Sequence, residues 1–261
     1  MKKTYLFLLL FNTFSYAQFS INGTLTEALE SDWVILYKIE STQQVFVANT
    51  TIKKGSLVVD GKKVAIGTFS FLLPKGAKSG VYRATYKLKG AGSVDFIFNK
   101  ENVNFTFNPK SPETTVMFSS AKENIIYRQY LAAISQKQEK LDSIQIAVLR
   151  NKTLVLDVEY KKAYREVVAV QKSFLTRTMG KYVHPFVKAS LRKIPLEIIK
   201  TPQEYMSNVT TTFFDTIDFS DKTLINSTFI TNKIIEYVFY VNYSDDQTQQ
   251  NNLFKKSIDV V

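Results

Sequence analysis

The residues that could do chemistry are few and scattered. His184 is the single histidine of the chain, and it stands just before Pro185 at the start of a helical stretch. A lone imidazole with neither a cysteine nor a serine elbow beside it builds no nucleophilic pair. Zinc would need three or four ligands, so His184 reads as a cap or surface residue. Asp215, Asp218 and Asp221 lie three apart in an aromatic-rich segment, a spacing that invites calcium because hard cations take carboxylate oxygens. The segment lacks the alternating ligands and the turn glycine of an EF-hand loop, and aspartate is an ordinary turn and cap former. A structural role is the expectation for all three. Two carboxylate pairs, Glu27 with Glu30 and Asp245 with Asp246, carry nothing that marks one member as acid and the other as base. No Gly-rich phosphate loop, Gly-X-Ser-X-Gly elbow or His-Glu-X-X-His occurs. With no cysteine in 261 residues, thiol nucleophiles, thiolate metal sites and disulfides are excluded. The expectation is no catalytic, cofactor-binding or metal residue. What remains is an aromatic set, Trp33, Tyr37, Tyr82, Tyr86 and Phe96, as a candidate ligand groove on a sheet, although aromatic residues in strands more often fill a core.

The elements that would position these residues change character midway. From Gln18 to Ser119 short apolar runs alternate with turn residues: Phe19–Leu25, Trp33–Ile39, Gln44–Ile52, Leu57–Val59, Thr68–Leu73, Gly80–Leu88, Val94–Phe98, Val103–Phe107 and Val116–Phe118. Asp60-Gly61 between apolar residues is a hairpin signal. In Gly80–Leu88, Tyr82, Ala84, Tyr86 and Leu88 form the face expected to be buried, with Val81, Arg83, Thr85 and Lys87 opposite. Strands at this spacing predict an antiparallel β-sandwich or open barrel over residues 18–119.

The period lengthens after Ser120. Ser120-Ala-Lys-Glu123 has the form of a capping box. Tyr127, Leu131, Ile134, Leu141, Ile144 and Val148 make one helical stripe, and Tyr160, Tyr164, Val167 and Phe174 a second, an antiparallel helix pair across Asn151-Lys152-Thr153. Gly180 ends the second helix, Pro185 opens a short one, Thr201-Pro202-Gln203-Glu204 caps another, and Thr231–Tyr240 follows. Ser244-Asp245-Asp246-Gln247 caps a last helix whose expected buried stripe is Leu253, Phe254, Ser257, Ile258 and Val261. No stop signal follows it, so the chain is expected to end mid-helix. The overall expectation is an α+β protein, with a helical module over residues 120–261.

The N-terminus predicts export. Lys2 and Lys3 precede an apolar run, Tyr5–Phe11, and Ser15-Tyr16-Ala17 offers a cleavage site that would leave Gln18 first. The run is shorter than a bilayer span requires, so no integral membrane segment is expected after cleavage. The compartment expected is a periplasm or outer envelope, bacterial because the exported chain lacks cysteines. Asn-X-Ser/Thr triplets, Asn22 and Asn104 among them, read as the product of an Asn- and Thr-rich composition. The formal charge of +11 is spread in ones and twos, without the continuous basic stripe that nucleic acid requires, so no nucleic-acid partner is expected.

Several phrases resemble a known family: Gly67-Thr-Phe-Ser-Phe71, Gly80-Val-Tyr-Arg83, Ser120-Ala-Lys-Glu-Asn124, Tyr127-Arg-Gln-Tyr130, Leu141-Asp-Ser-Ile144 and Phe213-Phe-Asp-Thr-Ile-Asp-Phe-Ser-Asp221. In this order, behind a signal segment, they resemble the region preceding the thioredoxin domain in exported TlpA-like thiol-disulfide oxidoreductases of Bacteroidota. Such proteins do their chemistry with a Cys-X-X-Cys pair in the following thioredoxin fold. That pair and its fold are absent from this sequence. The resemblance therefore implies a non-catalytic accessory region that positions substrate or partner. The partner would be an envelope protein or the missing C-terminal thioredoxin domain. The alternative is a stand-alone periplasmic or surface module that binds a ligand or another protein.

Overall fold

The computed structural model describes residues 18–27, 31–87, 92–241 and 243–260. The expected signal segment, Glu30, Leu88 and Val261 lie outside the described residues.

Among the described residues nine strands form two sheets. They are β1 (Gln18–Leu25), β2 (Trp33–Glu40), β3 (Gln43–Thr51), β4 (Lys53–Val59), β5 (Lys62–Pro74), β6 (Gly80–Thr85), β7 (Ser93–Phe98), β8 (Val103–Phe107) and β9 (Met117–Phe118). The first sheet runs β4-β5-β1-β8-β9 and the second β3-β2-β6-β7. Alternation sends Ile21, Leu25, Phe71 and Phe105 inward from the first sheet. Leu36, Tyr82, Ala84 and Phe98 answer from the second, forming one core between the layers. Each leucine, isoleucine or phenylalanine among them removed from water is worth about 1.5–3 kcal/mol. Gly23 lets two rings of the first sheet pack over its strand: its register partners Phe69 and Phe105 meet across its missing side chain, ring centroids 6.0 Å apart. The hairpin turn falls at Asp60 and Gly61, whose φ of 48° and 74° suit the left-handed positions of such a turn.

One pairing departs from the antiparallel expectation. β1 and β8 run parallel, from Ile21 opposite Val103 to Leu25 opposite Phe107. Alternation tells which face a residue takes but not which way its strand runs, so the crossover left no mark on the pattern.

The helices are α1 (Pro112–Thr115), α2 (Lys122–Arg150), α3 (Asp157–Thr178), α4 (His184–Ala189), α5 (Pro202–Thr212), α6 (Lys222–Ile225), α7 (Phe229–Glu236) and α8 (Gln247–Val260), with a π-helical turn at Tyr237–Val241. The whole is an α+β fold. α2 and α3 lie antiparallel: Arg177 reaches Gln129 at one end, and Lys137 pairs with Glu166 at 3.0 Å further along. Tyr130, Ile134, Leu141 and Val148 pack there against Tyr160, Val167 and Phe174.

A third core joins the two halves. Ile39, Val81 and Ile97, on the outer face of the second sheet, are covered by Val183, Phe186, Ala189, Ile217 and Leu224. Val81, expected on the open face of its strand, is 6% exposed. The second sheet is thus buried on both sides over part of its width, and the layers stack as sheet, sheet and helices.

The residues at the junction do not cap α2 as the sequence pattern suggests. Ala121, at φ 67°, precedes the helix. The Ser120 hydroxyl accepts from the Asn104 N–H at 2.8 Å and donates to the Asn102 carbonyl at 2.9 Å. The Glu123 carboxylate accepts from Asn99 Nδ2 and from the Val183 N–H, each at 2.7 Å. A tertiary clamp between the β7–β8 turn and the approach to α4 has taken the groups a local cap would use. At the far end, Ile258 of the expected buried stripe is 69% exposed, and Ser257 and Gln250 are buried on that helix.

Candidate functional site

The outer face of the second sheet meets the helices over hydrophobic contacts near Val81 and Ile97, then parts from them to leave a cleft of about 350 Å³. One wall is β6 and the edge strand β7. α1 and Val116 close one end, α2 supplies Asn124, Tyr127, Arg128 and Leu131, and Ser227–Asn232 crosses opposite. Tyr127, Phe186 and Phe229 give it aromatic walls.

Its polar groups are held in place. Arg83 and Asp95, register partners on adjacent strands, form a two-pronged pair, Nε to Oδ1 at 2.6 Å and a second nitrogen to Oδ2 at 2.8 Å. The hydrogen bond from Arg83 to Asp95 raises the guanidinium's pKa above its ordinary value. Thr228 donates to the same carboxylate at 3.1 Å, tying the loop before α7 to the sheet. Arg128 donates to the carbonyls of Glu113 at 3.0 Å and Thr114 at 3.3 Å, where α1 ends. Burial pushes the Tyr127 phenol up. Such a site, apolar on its walls with a few fixed donors, can orient and hold a group.

The aromatic set named from the sequence is not one groove. Tyr82, Tyr86 and Phe96 are core residues of the sandwich, 3%, 0% and 2% exposed, and Tyr82 stacks on Phe96 with centroids 6.2 Å apart. The two phenols end on carbonyls, Tyr82 on Lys78 at 2.8 Å and Tyr86 on Pro109 at 3.1 Å. Trp33 and Tyr37 point to the opposite face of the second sheet, half-buried, with Tyr37 edge-on to Phe46. Phe96 alone of the five borders the cleft, while its ring lies in the sandwich core.

The acidic candidates each have a local task. Asp221 caps α6 by accepting from the N–H groups of Thr223 and Leu224. Asp218 accepts from the hydroxyl and N–H of Ser220, which hold its carboxyl below the usual range. Asp215 pairs with Lys193 at 2.6 Å. Asp246 accepts from the Gln249 N–H at the start of α8, and Asp245 from the Tyr243 hydroxyl. Glu27 binds Lys110 and Asn108, and its carboxyl is lowered chiefly by the Lys110 contact. Among the described residues no three histidine or acidic side chains converge as a metal site would require. His184 opens α4 with Nδ1 3.0 Å from the Thr178 hydroxyl. That hydroxyl also lies 2.7 Å from the Phe174 carbonyl, to which it can donate.

Arg83 and Asp95 were open to sequence reasoning as opposite charges on neighbouring strands, had the β6–β7 register been known. Thr228 and Arg128 reach the cleft from distant segments and carried no signal. Asn22 and Asn104, sequence-stretch members of Asn-X-Ser/Thr triplets, bond to each other at 2.7 Å across the parallel pair, and Ser70 extends the ladder into β5.

The class these features define is an α+β protein in which a two-sheet layer carries a helical layer, with a cleft at their junction. No protein-family model matches the sequence, and no curated protein does. Among solved structures the chain is similar to the fimbrial anchor protein Mfa2 from Porphyromonas gingivalis, at 11% identity and a TM-score of 0.20, over 40% of this chain. The match spans 44% of that protein, less than half its length. Among the described residues no helix is long and apolar enough to cross a membrane.

Proposed function

We propose that this chain is a positioning module: a non-catalytic, exported accessory region of a TlpA-like thiol-disulfide system. Its cleft between sheet and helices holds the substrate or partner on which a separate Cys-X-X-Cys domain acts. The observation that carries the reading is the state of the cleft's charged groups. Arg83 and Asp95 are committed to each other, and Arg128 to the end of α1. Fixed donors beside aromatic walls favour recognition, and redox exchange would need a thiolate that this chain cannot supply.

The source DNA provides the test. The reading expects a Cys-X-X-Cys thioredoxin domain either in frame downstream or in an adjacent gene with its own export signal. A neighbourhood with neither would contradict it.

A stand-alone surface module is the second reading, favoured by a different observation: Leu57 and Val58 stand 52% and 74% exposed on an edge strand. An immediate stop codon and no exported thioredoxin-family neighbour would favour it over the first.

A further inference from the structure

The β4–β5 hairpin runs past the body of the sandwich. β1 accompanies β5 from Gly67 to Pro74, whereas β4 stays paired with β5 out to Lys62. Residues 55–59 and 62–66 therefore form a two-stranded ribbon with no third strand beside it among the described residues. A hairpin alone is marginal in water, and an open strand edge is a template for another strand. β4 is exposed from Lys53 to Val58, with Leu57 and Val58 presenting apolar surface on its two faces.

The charge of the ribbon says what can join it. Lys53 and Lys54 stand at its base and Lys62 and Lys63 at its tip, all exposed, against one carboxylate, Asp60. Among the described residues none of the four lysines is in an ion pair. We propose that the free edge of β4 receives an extended, acidic segment of a partner protein as an added strand. Main-chain hydrogen bonds would supply the attachment, apolar side chains would cover Leu57 and Val58, and carboxylates would meet the lysines. A second copy of this chain would set lysine against lysine, which edge lysines are well suited to prevent. A bilayer would have to admit the ribbon's end, and that end is Asp60-Gly61-Lys62-Lys63, with the apolar residues set back along the strand. This site is separate from the cleft and stands whether or not the cleft serves a thioredoxin-family partner.

The test is titration of the full chain against a fluorescent eight-residue peptide of alternating glutamate and valine. A lysine–valine peptide and phosphatidylserine vesicles serve as comparisons. Saturable binding of the acidic peptide is expected, weakening as sodium chloride rises and weakening roughly tenfold in the Lys62→Glu/Lys63→Glu variant. Hydrogen exchange on the unaltered chain should show new protection at residues 53–58, a readout that depends on no variant folding. The proposal is overturned by no binding, by equal binding of the lysine–valine peptide, or by binding that leaves residues 53–58 unprotected. Binding to the vesicles without binding to the peptide would also overturn it, in favour of a membrane surface.

Discussion

The side-chain amide of Asn124 takes the place of a strand beside Ile97, accepting from its N–H at 2.8 Å and donating to its carbonyl at 2.7 Å. β7 is the edge of the second sheet, and these are the two groups that edge would otherwise leave unpaired inside the protein. Asn124 is 4% exposed, so neither water nor another side chain can stand in for it readily. Together with the Glu123 contacts to Asn99 and Val183, this residue fixes α2 in register with the sheet, and the cleft beside it gets its shape.

Replacing Asn124 with leucine should therefore cost about 2 kcal/mol or more, since a buried donor and a buried acceptor both lose their partner. Urea unfolding followed by circular dichroism measures this. A midpoint unchanged from the parent would show that the amide does not hold the layers together.

The opposite sign is expected at Tyr130. Its ring fills the centre of the α2–α3 core at 0% exposed, yet its hydroxyl is buried without a hydrogen-bond partner among the described residues. Tyr130→Phe keeps the packing and removes the orphaned group, so stability should rise by about 1 kcal/mol. A lower urea midpoint would mean the hydroxyl is satisfied in solution.

Gly23→Ala should be among the most damaging single-methyl changes. A Cβ there would come within 2.1 Å of Cζ of the Phe69 ring, which is itself wedged against Phe71 and Phe105. Overpacking of this kind costs about 1–3 kcal/mol. A thermal midpoint within error of the parent would contradict the close approach.

Much of this was open to reading in one dimension and some was not. The Asp60-Gly61 turn, the α2 and α3 stripes and the alternation of Tyr82, Ala84 and Tyr86 are local, and local periodicity reports them. The second burial of Val81 could not be read, because it depends on a helical layer more than a hundred residues further along. Ser120 and Glu123 illustrate the same limit: their spacing fits a capping box, but long-range partners on β8 and ahead of α4 compete for the same atoms and win. Arg83 was visible as an outward residue of β6, while the cleft around it was not, since segments far apart in sequence build it.

Alkaline pH provides a separate check on the cores. Burial raises the phenols of Tyr82, Tyr86 and Tyr160 from 10.0 to about 12. A pKa raised on folding means the unfolded chain loses these protons first. The associated stability is whole below pH 10 and disappears as pH climbs from 10 to about 12. Tyrosinate absorbance in the folded protein should show these three lagging the exposed phenols, and unfolding should set in across that window. A single titration of all tyrosines near pH 10 with the fold intact would contradict the burial.

The proposed positioning role is tested most directly at Asn232, which is exposed and lines the cleft. A photo-reactive benzophenone side chain placed there, and another placed as a control at Val155, which is 82% exposed in the α2–α3 loop, would each be illuminated with the purified Cys-X-X-Cys domain of a TlpA-like protein from the same cell. Cross-linking from position 232 and not from position 155 is the result expected. No cross-link at 232, or equal yields from both positions, would contradict a cleft that presents its occupant to a thioredoxin-family domain.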